Sequence, residues 1–308
     1  MPLITHDLAP PDAQAMQELR ASFASAPKLT FAPESREAYD QIIGQVPLPS
    51  GVRFEAGEVG GVPGWWARPS DAKAGTAILY LHGGGYVLGS AKAYRNFVGE
   101  ISKRSGSASF IADYALAPER PFPAASDDVQ ALHRGLFDAG YDRIALCGDS
   151  AGGGLVISFL TQNDAKAGKI VAAVAMSPWL DLTLSGSSMT TKADQDPLLS
   201  KEMLATATER YLNGQSTRDP RLNVLGSNLA AMPPLRIHVG DAEVLRDDSI
   251  RFAKKADAAG LGIEVHVWEG MIHVFPSNFA MLQASEAALK DISSFLAQHL
   301  GTAAKGQT

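Results

Sequence analysis

Four short stretches of this chain carry residue types that could do chemistry together. The run Cys147-Gly148-Asp149-Ser150-Ala151-Gly152-Gly153 fits G-x-S-x-G. It follows an apolar strand pattern, RIALC, and opens a helical one, LVISFL. A serine on a sharp strand-to-helix turn is a nucleophile elbow. Its neighbours two positions away must be small, and Gly148 and Gly152 are. The helix start also turns unpaired N–H groups and positive dipole toward Ser150. A capping serine in a glycine-rich turn would explain the motif alone, but the strand before it and the helix after it favour the elbow.

A second glycine run, His82-Gly83-Gly84-Gly85-Tyr86, follows the strand pattern TAILYL. It is the HGGG-type segment that offers backbone N–H groups to a tetrahedral oxyanion. A phosphate loop is excluded because Ser90 stands where that motif requires lysine, and a dinucleotide fingerprint because Leu88 occupies its last glycine position. His82 reads as a residue that fixes the loop. Among seven histidines, His6 lies in the N-terminal tail, His133 and His299 on helical patterns, and His238 and His266 inside strand patterns. His273 differs: it follows the last strand pattern and precedes the C-terminal helix, where a loop can present imidazole to Ser150. The acid should follow the strand PLRIHVG. Asp241, Glu243, Asp247 and Asp248 are all candidates there, and spacing does not choose among them.

These residues need a scaffold that gathers strand ends. Helical spacing marks 11–25 (Met16, Leu19, Phe23) and 34–46 (Tyr39, Ile42, Ile43). Residues 52–68 read as a hairpin turning at Gly60-Gly61. Strand patterns then occupy 76–81, 107–114, 143–147, 169–176, 234–240 and 263–268. Helical patterns lie between most of them, at 92–104, 124–138, 150–164, 246–259 and 278–299. This alternation predicts an α/β fold with a mainly parallel sheet covered by helices on both faces, and such sheets collect active groups at strand carboxyl ends. Residues 182–215 break the alternation with a loop and a helix starting near Ser200. With the N-terminal helices they could form a lid.

The chain has 308 residues, 45% apolar and 19% charged, with a net charge of −6. Lys and Arg are scattered, which argues against nucleic-acid and polybasic membrane surfaces. The single cysteine, Cys147, permits no intrachain disulfide and reads as a small core side chain under the elbow. No signal-peptide pattern or membrane-length apolar run is visible, so a soluble cytoplasmic protein is expected. No cofactor is expected, and no metal, because HExxH, cysteine pairs and ligand-spaced histidines are missing. Trp179 after strand 169–176, Tyr86 beside the glycines, and Met271 and Phe275 beside His273 are candidates to touch substrate. Plain core is the alternative for Trp179. Trp65 and Trp66 read as packing on the hairpin.

In combination and order, HGGGY, DYALAPERPFPAA (113–125), GDSAGG (148–153), VGDAEVLRDD (239–248) and GMIHVF (270–275) resemble the hormone-sensitive-lipase-like branch of bacterial esterases, within the α/β-hydrolase superfamily. The resemblance spans about residues 50 to 300. It implies a single α/β-hydrolase unit, with a helical cap from about 1–48 and 182–215 and a core of about 49–181 and 216–302. It implies Glu243 as the triad acid, at the first position of [DE]-x-L-x-D-[DE], with Asp241 in reserve. It implies Gly84, Gly85 and Ala151 as oxyanion donors, a structural role for DYALAPE near the site, and a homodimer in many relatives. The activity implied is hydrolysis of short- to medium-chain carboxylic esters, lactones included. A ligand-binding protein of the same fold would lack the histidine that His273 supplies; an amidase would use the same residues. One departure is the stretch Arg221 to Leu229, where relatives carry a Ser-Pro pair; a differently shaped loop beside the acid is the expectation.

Overall fold

The computed structural model describes residues 3–25, 30–163, 169–227, 229 and 232–301. Its sheet contains β1 (Leu3–His6), β2 (Val52–Val59), β3 (Val62–Pro69), β4 (Thr76–Leu81), β5 (Ala108–Ala112), β6 (Arg143–Asp149), β7 (Ile170–Met176), β8 (Leu235–Gly240) and β9 (Ile263–Trp268). The spatial order is β1-β9-β8-β7-β6-β4-β5-β3-β2. The β2–β3 hairpin and the β3–β5 pair are antiparallel, and the other pairs are parallel.

Because side chains alternate along a strand, a sheet covered on both sides needs apolar residues at nearly every position. Leu79, Leu81, Leu146, Ala173, Ile237 and Val265 face one core, which α4 (Ala124–Asp138), α5 (Ser150–Gln162) and α8 (Arg246–Ala258) complete. Ile78, Tyr80, Cys147, Ala172 and Val174 face the other, beneath α3 (Ala91–Ser105) and α9 (Gln283–Gly301). Helix ends follow local chemistry. The Ser90 hydroxyl caps α3 by accepting from Ala93 N, and Gly106 closes it in the left-handed conformation.

The N-terminal arm carries α1 (Pro10–Ser25) and α2 (Arg36–Ile43). Met16 packs with Trp268, Met271, Ile272 and Phe275, with Leu19 and Phe23 alongside. Ile42, expected on an inner face, is half exposed, while Tyr39 and Ile43 pack inward. His6 is part of no loose tail: it ends the edge strand β1, paired parallel with β9, and its ring stacks on Trp268 at 3.7 Å. Residues 182–215 hold α6 (Ser188–Thr191) and α7 (Lys201–Leu212), the latter capped by Ser200 through Met203 N. The Arg20 guanidinium donates to the Gln195 carbonyl, joining α1 to this segment.

The start of α9 is capped from outside its own chain segment. The Asp12 carboxylate, on α1, accepts from Gln283 N at 2.7 Å and Ala284 N at 2.8 Å. Two otherwise orphaned N–H groups are thereby satisfied beside the positive end of the helix dipole. Asp12→Ala should lower unfolding free energy by about 1–2 kcal/mol. Urea denaturation would check this.

Candidate active site

Ser150 stands at the junction of β6 and α5 with φ +51°, the left-handed region. An L residue there costs on the order of 1–2 kcal/mol. The crowding around it explains the flanking glycines. A Cβ on Gly152 would lie 2.0 Å from the Leu81 carbonyl oxygen, and one on Gly148 2.7 Å from the Gly152 carbonyl carbon.

The loop after β9 brings His273 to the serine. Its Nε2 lies 2.9 Å from Ser150 Oγ, and its Nδ1 2.6 Å from Glu243 Oε2. A carboxylate only accepts, so Nδ1–H donates to Glu243 and Nε2 is free to accept from the serine hydroxyl. Glu243 is fully buried. Its Oε1 accepts from Gly240 N at 2.7 Å and from Ser177 Oγ at 2.8 Å. Burial works against charge on His273, but the adjoining Glu243 carboxylate, with Asp196 and Asp149 further off, outweighs it and raises the imidazole pKa above its ordinary 6.5.

The four acids after β8 have four different surroundings. Asp241 is partly exposed and pairs with Lys192 and Arg246. Glu243 meets His273. Asp247 accepts from Ser187 Oγ and Ser188 N. Asp248 is buried, accepts from Leu180 N and Asp181 N, and is pushed up to about 7 by burial.

Ser177, at the end of β7, is a residue that sequence reasoning missed. Its hydroxyl donates to Glu243 and accepts from Val274 N at 3.0 Å, so one oxygen ties the acid loop to the histidine loop. Ser177 and Val274 both have positive φ, +46° and +51°. For β-branched Val274 that is an outlier, held by this bond. A serine after a strand has no pattern signal; only the position after β7, facing the Glu243 loop, marks it.

The glycine loop follows β4. Gly84 (φ +108°) and Gly85 (φ +62°) adopt backbone that favours glycine, and their Cβ positions are filled by the Leu88 carbonyl and the Phe31 ring. His82 is buried, with Nδ1 2.7 Å from the Gly83 carbonyl oxygen, and burial lowers its pKa to about 4. It stays neutral, which suits a loop anchor. The DYALAPE stretch braces the same loop: Tyr114 Oη donates to the His82 carbonyl, and Ala117 N to that of Tyr86.

Tyr86 and Trp179 are buried and line a small cavity with Gly154, Leu155, Leu180 and Tyr211. Tyr86 stacks on Tyr211 of α7 at 3.8 Å. Trp179 N donates to the Ser150 carbonyl. Met271 is placed otherwise than expected. It has no exposed surface and packs among Met16, Trp268, Ile272 and Phe275, so its side chain is core rather than pocket; Phe275 shares that cluster. The stretch from Arg221 leans on α5 and α8, through Ser158 Oγ to the Arg221 carbonyl and Lys255 Nζ to that of Leu225. Asn228 within it lies outside the described residues.

Histidine spacing in the sequence also hid a cluster. His238, His266 and Asp291 bring potential ligand atoms within 4.8 Å of one another. Their chemistry suits hydrogen bonding better than a metal. His238 Nδ1 accepts from Trp268 Nε1, which leaves Nε2 to carry the proton and donate to Asp291, and Arg236 already pairs with that carboxylate.

A serine on the turn from β6 into α5, a glycine loop after β4 and a histidine after β9 are the layout of an α/β-hydrolase. A family model described as alpha/beta hydrolase fold matches residues 78–277. An esterase of the bacterial hormone-sensitive lipase family superposes with a TM-score of 0.87 at 35% identity, over 96% of this chain and 99% of the other. An acetyl-hydrolase of Streptomyces hygroscopicus is 36% identical over 276 residues, 88% of this chain and 91% of its own length. An esterase of Acinetobacter venetianus is 31% identical over 282 residues, 90% and 93% respectively. This chain therefore belongs to the hormone-sensitive-lipase-like bacterial esterases of the α/β-hydrolase family, and is a carboxylic-ester hydrolase. No helix among the described residues is long and apolar enough to cross a membrane.

Ser177→Ala removes a donor to a buried carboxylate and leaves the Val274 N–H unpaired, which should cost about 1–3 kcal/mol. Its kcat should fall in parallel, by roughly tenfold, measured on the folded fraction. If His273 is the base, the raised pKa should set the acid limb of kcat/KM: neutral imidazole would be needed, so activity should decline with falling pH about a midpoint above 6.5. In Glu243→Gln that midpoint should move down and kcat collapse, whereas Asp241→Asn should leave both unchanged.

Proposed function

We infer that Ser150, His273 and Glu243 form the triad of an esterase acting on short- to medium-chain carboxylic esters, lactones included. The observation that carries this is the unbroken chain from Ser150 Oγ through both nitrogens of His273 to Glu243 Oε2. His273 Nε2 takes the serine proton as Oγ attacks the ester carbonyl, and the imidazolium is stabilised by Glu243. Gly84, Gly85 and Ala151 N–H groups receive the oxyanion, the last from the first turn of α5, where N–H groups have no intrahelical acceptor. The imidazolium then protonates the leaving alcohol. Water enters, gives its proton to His273 and attacks the acyl-enzyme; collapse returns Ser150 and the carboxylic acid.

Residues 1–48 and 182–215 act as the cap of this site, through contacts such as Arg20 with Gln195 and Tyr211 with Tyr86. A short acyl end of the range is supported by the bulky side chains Tyr86, Trp179 and Tyr211 that line the cavity beside Gly154, one helical turn beyond Ser150. The related proteins include an acetyl-hydrolase and an ethyl acetate hydrolase of Pseudomonas putida, which agrees in size class.

The test is hydrolysis of p-nitrophenyl esters of graded acyl length. Turnover should be highest at two to four carbons and fall at least about 10³-fold in Ser150→Ala. Tyr211→Ala should shift the optimum toward longer chains. Turnover retained by Ser150→Ala would overturn the nucleophile assignment, and hydrolysis of anilides but not esters would redirect the substrate class.

A further inference from the structure

We propose that Asp149 and a chain of tyrosine hydroxyls, Tyr39 to Tyr94, position the oxyanion loop and couple it to helix α2 of the N-terminal arm. The inference rests on the reading of Gly84 and Gly85 as oxyanion donors.

Asp149 precedes the nucleophile, yet its described hydrogen bonds go elsewhere. It is almost fully buried. Oδ1 accepts from Tyr80 Oη at 2.7 Å and from Gly83 N at 3.1 Å, and Oδ2 accepts from Tyr94 Oη at 3.2 Å. The carboxylate thus grips the first glycine of the HGGG run, next to the two glycines that face the reaction. The fit is close. A Cβ on Gly83 would lie 2.2 Å from Asp149 Oδ2 and 3.1 Å from Tyr94 Oη. This gives the first glycine a task distinct from oxyanion binding: it lets its backbone dock against a buried carboxylate.

The chain continues outward. Tyr94 Oη and Tyr39 Oη are 2.9 Å apart. The one proton of Tyr94 goes to Asp149, so Tyr39 must donate to Tyr94, and the order of donors is fixed from α2 inward. Burial raises the pKa of all three tyrosines, Tyr39, Tyr80 and Tyr94, so the hydroxyls remain donors across the working pH range. Other contacts hold α2 against the same loop. Arg36 Nε donates to the Val87 carbonyl at 2.8 Å, its Nη2 to that of Ala117 at 3.0 Å, and the Phe31 ring occupies the Cβ side of Gly85. A loop of three glycines has little stiffness of its own. Preset donors act only if they do not move when the charge develops, and here the stiffness comes from outside the loop.

The test compares full-length wild type with Tyr39→Phe, Tyr94→Phe, Asp149→Asn and Asp149→Ala. A fluorophosphonate counts reactive Ser150 in each preparation, and p-nitrophenyl acetate kinetics are expressed per titrated site, beside the melting temperature. The phenylalanine variants lose one oxygen each and should fold. Tyr94→Phe should lower kcat per site roughly 3- to 10-fold, Tyr39→Phe less, and Asp149→Ala about 100-fold, with KM within about twofold throughout, since the lost interaction serves the transition state. Asp149→Asn keeps an acceptor for Gly83 N and should recover part of the loss. If kcat per titrated site is unchanged while melting temperature or titratable fraction falls, the network is only structural and the proposal is overturned. If the wild type neither titrates nor hydrolyses esters, the serine reading itself fails, and this proposal with it.

Discussion

The approach of helix α5 to the end of strand β4 is the constraint on which the site depends. Gly152 sits so near the Leu81 and His82 carbonyls that no side chain fits between them. That contact sets the helix start directly against the glycine loop. Ser150, at that helix start, stands on a left-handed turn. The local cost is on the order of 1–2 kcal/mol. It is borne by the burial of β4, β6 and β7 on both faces, where almost every side chain is removed from water. A less fully covered sheet could not hold three positive-φ residues, Ser150, Ser177 and Val274, around one reaction centre.

The second constraint is electrostatic. His273 feels three carboxylates, of which only Glu243 touches it. Asp149 is spent on Tyr80, Tyr94 and Gly83, and Asp196 on the N–H groups of Leu198, Leu199 and Val244. Burial raises the pKa of both, and those donors oppose the rise. The negative field around the imidazole therefore comes partly from groups whose first duty is to hold loops in place. In the proposed mechanism a more basic His273 stabilises the imidazolium formed when serine attacks, at the expense of the neutral fraction in acid.

The grouping of Ser150, the glycine loop and His273 at strand ends was legible in the sequence because it uses short motifs with strict backbone needs. Ser150 and the glycines announce turns that few other residues can make, and His273 follows a strand end that the alternation locates. Glu243 was not separable from Asp241, Asp247 and Asp248 by spacing, since all four lie in one loop and helix start and differ only in partners distant along the chain. It was distinguished by the family pattern. Ser177, Asp12 and Asp196 left no trace for a related reason: each is a single polar residue with at least one partner tens of residues away or more, Glu243 and Val274 for Ser177, Gln283 and Ala284 for Asp12, and Val244 for Asp196. β1 escaped notice because four residues with mixed exposure carry no period, and its pairing is with β9 at the far end of the chain. Met271 was misjudged as a pocket residue because nearness to His273 in sequence says nothing of direction. The backbone turns its side chain toward α1 and α9, into the cluster around Met16.

The N-terminal arm is fastened differently from the core. Apolar area holds the sheet; the arm adds to its apolar packing through Met16, Leu19 and Phe23 a set of specific contacts: His6 stacked on Trp268, Asp12 capping α9, Arg20 on the Gln195 carbonyl, Arg36 on the Val87 and Ala117 carbonyls, and Tyr39 on Tyr94. Apolar contact is non-directional and tolerates sliding, whereas a bond to a named carbonyl fixes register. An arm that must present α2 at one position against a glycine loop gains more from the second kind. β1 adds to this by pairing along β9 at the edge of the sheet, which fixes the stretch just before α1.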